Sequence, residues 1–367
     1  MPVHIDRGEP VLQQIVRPPL AIWLFVAVLP LGPKVHADEP PPVATVTSSL
    51  ATADDHIRQF VFDGDPATAF ISATNPHADD QLTLAFERPI TVHSIKVTSG
   101  RPDGSDVLEM GSLDVSADGE TYERLAGFAE GAAEAKFDDR AVKAVRVTVT
   151  ADLPHPLAIR ELVIEGPAAA STFQYPVEIA VDVTDAPDMK QWAEDTARTC
   201  ERAYRMINEE LQSDGYKPAH LITMALKNDY NGVAATGGNH IVGSVKYFKE
   251  HPDDVGAMVH ETAHVVQHYR GRRNPGWLVE GVADYVRFFK FEPGNLGPIN
   301  ARRAHYNQSY RVSAAFLAFL VEKYDAEIVR KLNRLMRAGE YPGESFFSDA
   351  TGKTLDELDD EWRATLK

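Results

Sequence analysis

The sequence predicts two domains in tandem, an all-β sandwich followed by an α+β domain. Three observations predict this. The chain has 367 residues, more than one ordinary domain uses. Between residues 47 and 166, short apolar–polar alternations are broken by turn residues at roughly ten-residue intervals, the texture of an antiparallel sandwich. From Tyr175 onward, strand-like runs give way to long segments of helical period, the texture of an α+β domain. Hydrophobic residues make up 44% and charged residues 25% of the chain. That is ordinary globular composition and excludes disorder or a fibre for its bulk. The net charge of −17 repels phosphate backbones, so nucleic acid is not an expected partner.

Taken in order, residues 1–37 read as a signal peptide. Arg17 precedes the apolar run Leu20–Leu31, and Val35-His36-Ala37 has the small-x-small pattern of a cleavage site. The run is about a dozen residues, short of the ~20 that span a bilayer. The rival reading is an uncleaved anchor, suggested by the long, acid-containing start with Asp6 and Glu9. Secretion to an extracellular or periplasmic space is expected, with no stable membrane span after processing. Residues 38–46 form a Pro-rich tether. The sandwich, 47–166, shows strands at 81–86, 94–100, 111–119, 144–151 and 158–166. A linker at 167–174 follows.

The second domain, 175–367, opens with a strand at Tyr175–Val183. An amphipathic helix at 189–211 aligns Ala193, Ala197, Cys200, Tyr204, Ile207 and Leu211 on one face. Cys200 is the only cysteine, so no disulfide forms within the chain. Its place on that apolar face makes it a packed core residue rather than a nucleophile. Residues 221–227 and 239–248 read as strands, and 253–269, 276–290, 310–323 and 325–337 as helices. Thr354 and Glu357 have capping-box spacing before a last helix.

His260-Glu261-Thr262-Ala263-His264 is an HExxH motif. Histidines four apart stand on one helical face and reach one ion. Glu261 projects ~100° from His260, placed to touch a water at the metal without ligating it. Zn²⁺ lowers the pKa of such a water, and a carboxylate takes the proton. The plain alternative is a solvated helix face with two stacked histidines. The apolar neighbours Ala257, Met258, Ala263, Val265 and Val266 argue against it, because they bury the helix. Glu280 follows His264 by 16 residues, enough for the turn at 271–276 and an antiparallel return. It is the expected third ligand, leaving one open position, the form of a catalytic zinc site. Asp284, one turn further, is placed to accept a proton from the far nitrogen of a ligand histidine. Gly281 lets the backbones approach. Asp284 in place of Glu280 as third ligand is the rival arrangement. His268 continues the spacing of four and reads as a supporting or surface residue.

The run WLVEGVADYVRF (277–288) resembles the third-ligand helix of gluzincin peptidases. With GVAATGGNHIVGSVKYF (232–248), HETAHVVQHY (260–269), the run from Tyr310 and the TGKTLDELDDEW tail (351–362), the stretch from Tyr175 resembles the basic secretory protein family. The resemblance implies a zincin-like fold, one catalytic zinc on His260, His264 and Glu280, and cleavage of peptides or proteins by an endopeptidase. It also implies Tyr310 as the donor to the developing oxyanion, with Tyr306 as rival and simple packing as the plain alternative. By the same analogy residues 239–243 form the sheet edge that pairs with substrate. The acidic balance of this chain departs from the family's name.

Residues 47–166 resemble a discoidin-like jelly roll of the coagulation-factor type. FDGDPATAF (62–70), LTLAFERPITVHSIKV (82–97), SLDVSADGETYERLA (112–126) and IRELVIEG (159–166) carry the likeness. It implies a structural Ca²⁺ on Asp63, Asp65, Thr68 and Glu161, oxygen ligands that suit calcium, against a plain self-bonded turn. It also implies a glycan or glycoprotein partner. The family's usual Trp is Phe70 here, and the domain has no Trp, which weakens the sugar reading. Two other functions stand beside the peptidase. One is a binding protein with a vestigial metal helix. The other is a glycan hydrolase, for which no paired carboxylates appear.

Overall fold

A computed structural model describes residues 42–167, 171–269, 273–308 and 310–366. The expected signal segment, the first part of the expected tether, part of the expected 167–174 linker and part of the 271–276 turn lie outside the described residues. No helix among the described residues is long and apolar enough to cross a membrane.

The N-terminal part is a β-sandwich built on two long strands, β3 (Gln81–Ser99) and β6 (Ala132–Val149), after β1 (Ala44–Ser48) and β2 (Phe70–Ile71). β4 (Gly111–Ser116), β5 (Glu123–Gly127) and β7 (Ala158–Glu165) complete it, in the order β2-β7-β3-β6-β4-β5 with β1 on β3. The ladder between β3 and β6 breaks between Ala85 and Ile90 and again between Val92 and Ser94. Pro89 has no N–H to give there, and such bulges bend strands. The two halves then face each other. Leu82, Leu84 and Phe86 from one end of β3 share a core with Ile95 and Val97 from the other, and with Val147 and Leu162. The tether expected at 38–46 is corrected at its end: Ala44 and Val46 are buried and paired to β3.

The C-terminal part is a four-stranded mixed sheet with helices packed against it. β8 (Glu178–Asp182), β9 (Leu221–Lys227) and β11 (His240–Ser244) run parallel, with β9 central to the three, and β10 (Ala234–Gly237) pairs antiparallel to β11 as the outer strand. Helix α1 (Lys190–Glu210) is the crossover between β8 and β9, and Cys200 is buried in its face as expected. The strand expected over 239–248 stops at Ser244. Its Oγ accepts the N–H of Tyr247 and starts a short helix, α2 (Val245–Glu250). Helices α3 (Val255–Gln267), α4 (Gly276–Tyr285), α5 (Tyr310–Lys323), α6 (Ile328–Ala338), α7 (Ser345–Thr351) and α8 (Leu355–Thr365) follow. α4 runs on into one wide π-helical stretch, Val286–Phe291. The capping box before α8 is present, Thr354 accepting from Glu357 N–H and Glu357 accepting from Thr354 N–H. α7 lies where the sequence pattern predicts no helix.

The two parts meet through buried charge. Arg58, on a 3₁₀ turn of the sandwich (Arg58–Phe62), reaches Glu178 at 3.3 Å and Glu201 at 3.4 Å. Glu178 also accepts from Thr52 Oγ1 (2.8 Å) and Arg58 N–H (2.9 Å). Glu201 accepts from Arg198 (2.6 Å) and Ile179 N–H (2.7 Å). Buried carboxylates are tolerated only when so satisfied.

Candidate metal centre and substrate cleft

Helix α3 is buried along most of its length because Ala257, Met258, Val259, Ala263, Val265 and Val266 pack into the core. That fixes its rotation and turns His260 and His264 toward a cleft of ≈ 1100 Å³. Helix α4 is fixed by the opposite face. Trp277 packs on Tyr306 (ring centroids 4.9 Å) and Phe347 (6.1 Å), while Leu278 and Val282 are fully buried. Gly281 lets α5 come close, since a Cβ there would lie 2.8 Å from the Cβ of Ser313. Glu280 and Asp284, one turn apart, are thereby aimed at α3.

Three atoms converge. His260 Nε2 and Glu280 Oε2 are 3.2 Å apart, His264 Nε2 and Glu280 Oε2 3.1 Å, and the two Nε2 atoms 3.0 Å. Among the described residues, this is the group in which three His, Cys, Asp or Glu side chains bring ligand atoms within 4.8 Å of one another. Ligands held at about 2.0–2.1 Å in a tetrahedron stand roughly 3.3 Å apart, so the triangle has the size zinc requires.

The tautomers follow from the partners behind the rings. His260 Nδ1 lies 2.6 Å from Asp284 Oδ1, a carboxylate that only accepts, so Nδ1 carries the proton. Gln267 gives its Nε2–H to the carbonyl of Val279 (2.8 Å), which leaves its Oε1 to accept from His264 Nδ1 (2.7 Å). Both Nε2 atoms therefore present lone pairs to the carboxylate oxygen. Such a trio needs a shared cation. The charges agree. Burial opposes the His260 imidazolium, but hydrogen bonds to Asp284 and Glu280 raise its pKa to about 9. Burial likewise opposes ionisation of Glu280, yet the two imidazoles bring its pKa down to about 2.

Glu261 is buried, with Oε2 accepting from Thr236 Oγ1 at 2.7 Å. Tyr310 stands at the cleft, 56% exposed, its ring 6.3 Å from that of His260 and edge-on. The negative charge of Glu280 raises its pKa, followed by burial. Tyr306 is instead packed among Trp277 and Phe316 and does not line the cleft. His268 leaves the helical register. It caps α3 in the left-handed region at φ 47°, and its ring lies over Tyr216 rather than in the trio. Asp284 is behind His260, not in the converging set.

The sheet edge is corrected. Residues 240–243 pair on both sides, with β9 and β10, because Gly238 at φ 61° turns the chain back and lays β10 outside. A positive φ at the first turn position favours Gly. β10 is the edge along the cleft wall. Sequence reasoning also missed Gln267 and Thr236. Gln267 lies three residues after His264 on the same helix, a spacing that flags it. Thr236 has no local signal.

In the sandwich, Asp63, Asp65, Thr68 and Glu161 lie about one loop, but they are held mostly by each other. Thr68 Oγ1 donates to Asp63 (3.0 Å) and Asp65 N–H to Asp63 (3.0 Å). Glu161 is buried with Oε2 lacking a hydrogen-bond partner among the described residues. Its pKa is raised to about 7, chiefly by burial and then by the charge of Asp63. Phe70 is fully buried in the core, so it offers no face to a sugar.

A mixed sheet with helices, an open strand edge along one cleft wall and an imidazole–carboxylate cluster at its floor define a peptidase-like domain behind a β-sandwich. Residues 179–362 match the family model described as peptidase of plants and bacteria, and the chain belongs to that family. No curated protein matches the chain. Among solved structures, a family 32 carbohydrate-binding module of a Clostridium perfringens family 31 glycoside hydrolase is similar at 18% identity. It covers 34% of this chain and 94% of its own, with a TM-score of 0.30. A chitosan-binding module from Paenibacillus sp. IK-5 is similar at 19% identity, 34% and 96% coverage and a TM-score of 0.29. A pectin-binding module is similar at 19%, covering 35% and 94%, with a TM-score of 0.28. At these levels the likeness is no guide to a ligand.

Proposed function

We propose that this chain is a zinc-dependent endopeptidase of the HExxH, gluzincin type. The observation that carries the reading is the triangle of His260, His264 and Glu280, with both Nε2 atoms turned to the carboxylate by the partners behind the rings. A bound zinc supplies Lewis acidity to a carbonyl and a lowered pKa to a water. The chain's own residues do the rest. Asp284 and Gln267 hold the imidazoles in tautomer and angle. Glu261 takes the proton of the attacking water and hands it to the leaving amine. The open edge of β10 receives an extended peptide by strand addition. Tyr310 donates to the developing oxyanion. Replacing Tyr310 by Phe should lower kcat roughly 10²-fold with zinc content unchanged. Export through residues 1–37 places the enzyme outside the cytoplasm in this reading.

The test is Glu261→Gln. Peptide cleavage should vanish while metal analysis still finds about one zinc per chain. Cleavage that survives the substitution removes this mechanism. Zinc retained by a wild-type protein that cleaves no peptide favours the vestigial binding protein. For the sandwich, the orphaned Glu161 oxygen beside Asp63 supports a structural calcium ion, and calcium should raise its melting temperature. A glycan or glycoprotein ligand follows from the sequence resemblance, and retention on a panel of immobilised glycans and glycoproteins tests it.

A further inference from the structure

The strand that borders the cleft does more than line it. Thr236 lies on β10, 25 residues before Glu261 in sequence, yet its Oγ1 is 2.7 Å from Glu261 Oε2 and 3.0 Å from the Glu261 carbonyl. The side chains of β10 alternate, Ala234 and Thr236 being half-buried and Ala235 and Gly237 exposed. Thr236 therefore projects from the sheet onto α3, while the unpaired edge of the same strand stays open to the cleft. A glutamate on a helix has three rotatable side-chain bonds, and an unrestrained carboxylate samples several rotamers. A hydroxyl has one proton. Given to Oε2, it fixes the carboxylate and leaves Oε1 as the oxygen for a new proton.

We propose that Thr236 is the positioning residue for Glu261: its hydroxyl holds Oε2, so that Oε1 faces the reacting water. This rests on the peptidase reading above. The same strand then has two tasks, since any peptide that adds to β10 pulls on the residue that orients the base. Proton transfer to Oε1 leaves the Thr236 contact at Oε2 intact, so the arrangement serves both the uptake of the water's proton and its delivery to the amine.

The experiment compares Thr236→Val, which keeps the shape without the hydroxyl, with Thr236→Ser, which keeps the hydroxyl. Misplacement of a reacting group by about 1 Å costs up to ~10²-fold. Thr236→Val should lose roughly 10- to 100-fold in kcat, with KM and zinc content unchanged, and Thr236→Ser should recover most of it. Crystal structures should show the Glu261 carboxylate in one rotamer in wild type and in Thr236→Ser, and in several in Thr236→Val. Unchanged kcat in Thr236→Val, or a serine variant as slow as the valine variant, overturns the proposal. If wild type cleaves no peptide, the peptidase reading falls. The rotamer of Glu261 in Thr236→Val then decides the positioning role alone: a carboxylate still held in one place refutes it.

Discussion

Glu280→Gln tests the proposed metal centre most directly. The amide keeps the volume of the side chain, so the packing of α4 through Trp277, Leu278 and Val282 stays as it is. What changes is one of three converging ligand atoms, the one that carries negative charge. Structural zinc sites with four protein ligands bind with about 10–16 kcal/mol, so one ligand is worth about 3 kcal/mol, or roughly 10²-fold in affinity. The consequence for stability follows by mass action. At free zinc about 100 times the wild-type Kd, the native state gains about 2.7 kcal/mol. A variant binding about 100-fold more weakly gains only about 0.4 kcal/mol under the same conditions. The assays are competition against a chromophoric zinc chelator at neutral pH, and thermal unfolding with and without zinc. Circular dichroism of the metal-free variant should match wild type. Equal zinc affinity in the two proteins, or no zinc-dependent rise in the wild-type transition, refutes the reasoning.

Three further outcomes are expected. Asp284→Asn removes the carboxylate behind His260 Nδ1 and should weaken zinc about 10- to 100-fold with Glu280 intact, read in the same competition assay. Gly281→Ala places a methyl 2.8 Å from the Cβ of Ser313 and should destabilise the protein by about 1–3 kcal/mol in urea unfolding. A shifted α4 should also weaken zinc; a variant as stable as wild type shows that the helices do not need this close approach. Arg58→Ala leaves Glu178 and Glu201 buried with one cation removed and should cost about 3–5 kcal/mol. A loss below about 1 kcal/mol would show that the contact between the two parts behaves as a surface ion pair.

The sequence by itself determined what repeats at short range. Histidines four apart on an apolar helix, a carboxylate 16 residues on behind a turn, and Asp284 one further turn along gave the trio and its support, because helical geometry relates such positions with no knowledge of the rest of the fold. Alternation gave parts of β3, β4, β6 and β7 in the same way, but not β1, β2, β5 or the first half of β6, and the capping box of α8 was readable from Thr354 and Glu357. The tertiary structure decided what depends on segments far apart in the chain. The true sheet edge is β10, since a turn at Gly238 laid it outside β11. Ser244 ended a strand that its apolar pattern carried on to Phe248, because a side-chain cap satisfied the N–H of Tyr247. Tyr310 stands at the cleft and Tyr306 is half-buried against the core, a choice set by Trp277 and Phe316 packing around the latter. Thr236 meets Glu261, and Arg58 meets Glu178, across 25 and 120 positions. No periodicity encodes such pairs. They arise only when hydrophobic burial has fixed how the helices and sheets stack, and polar groups caught at the contacts must find partners there.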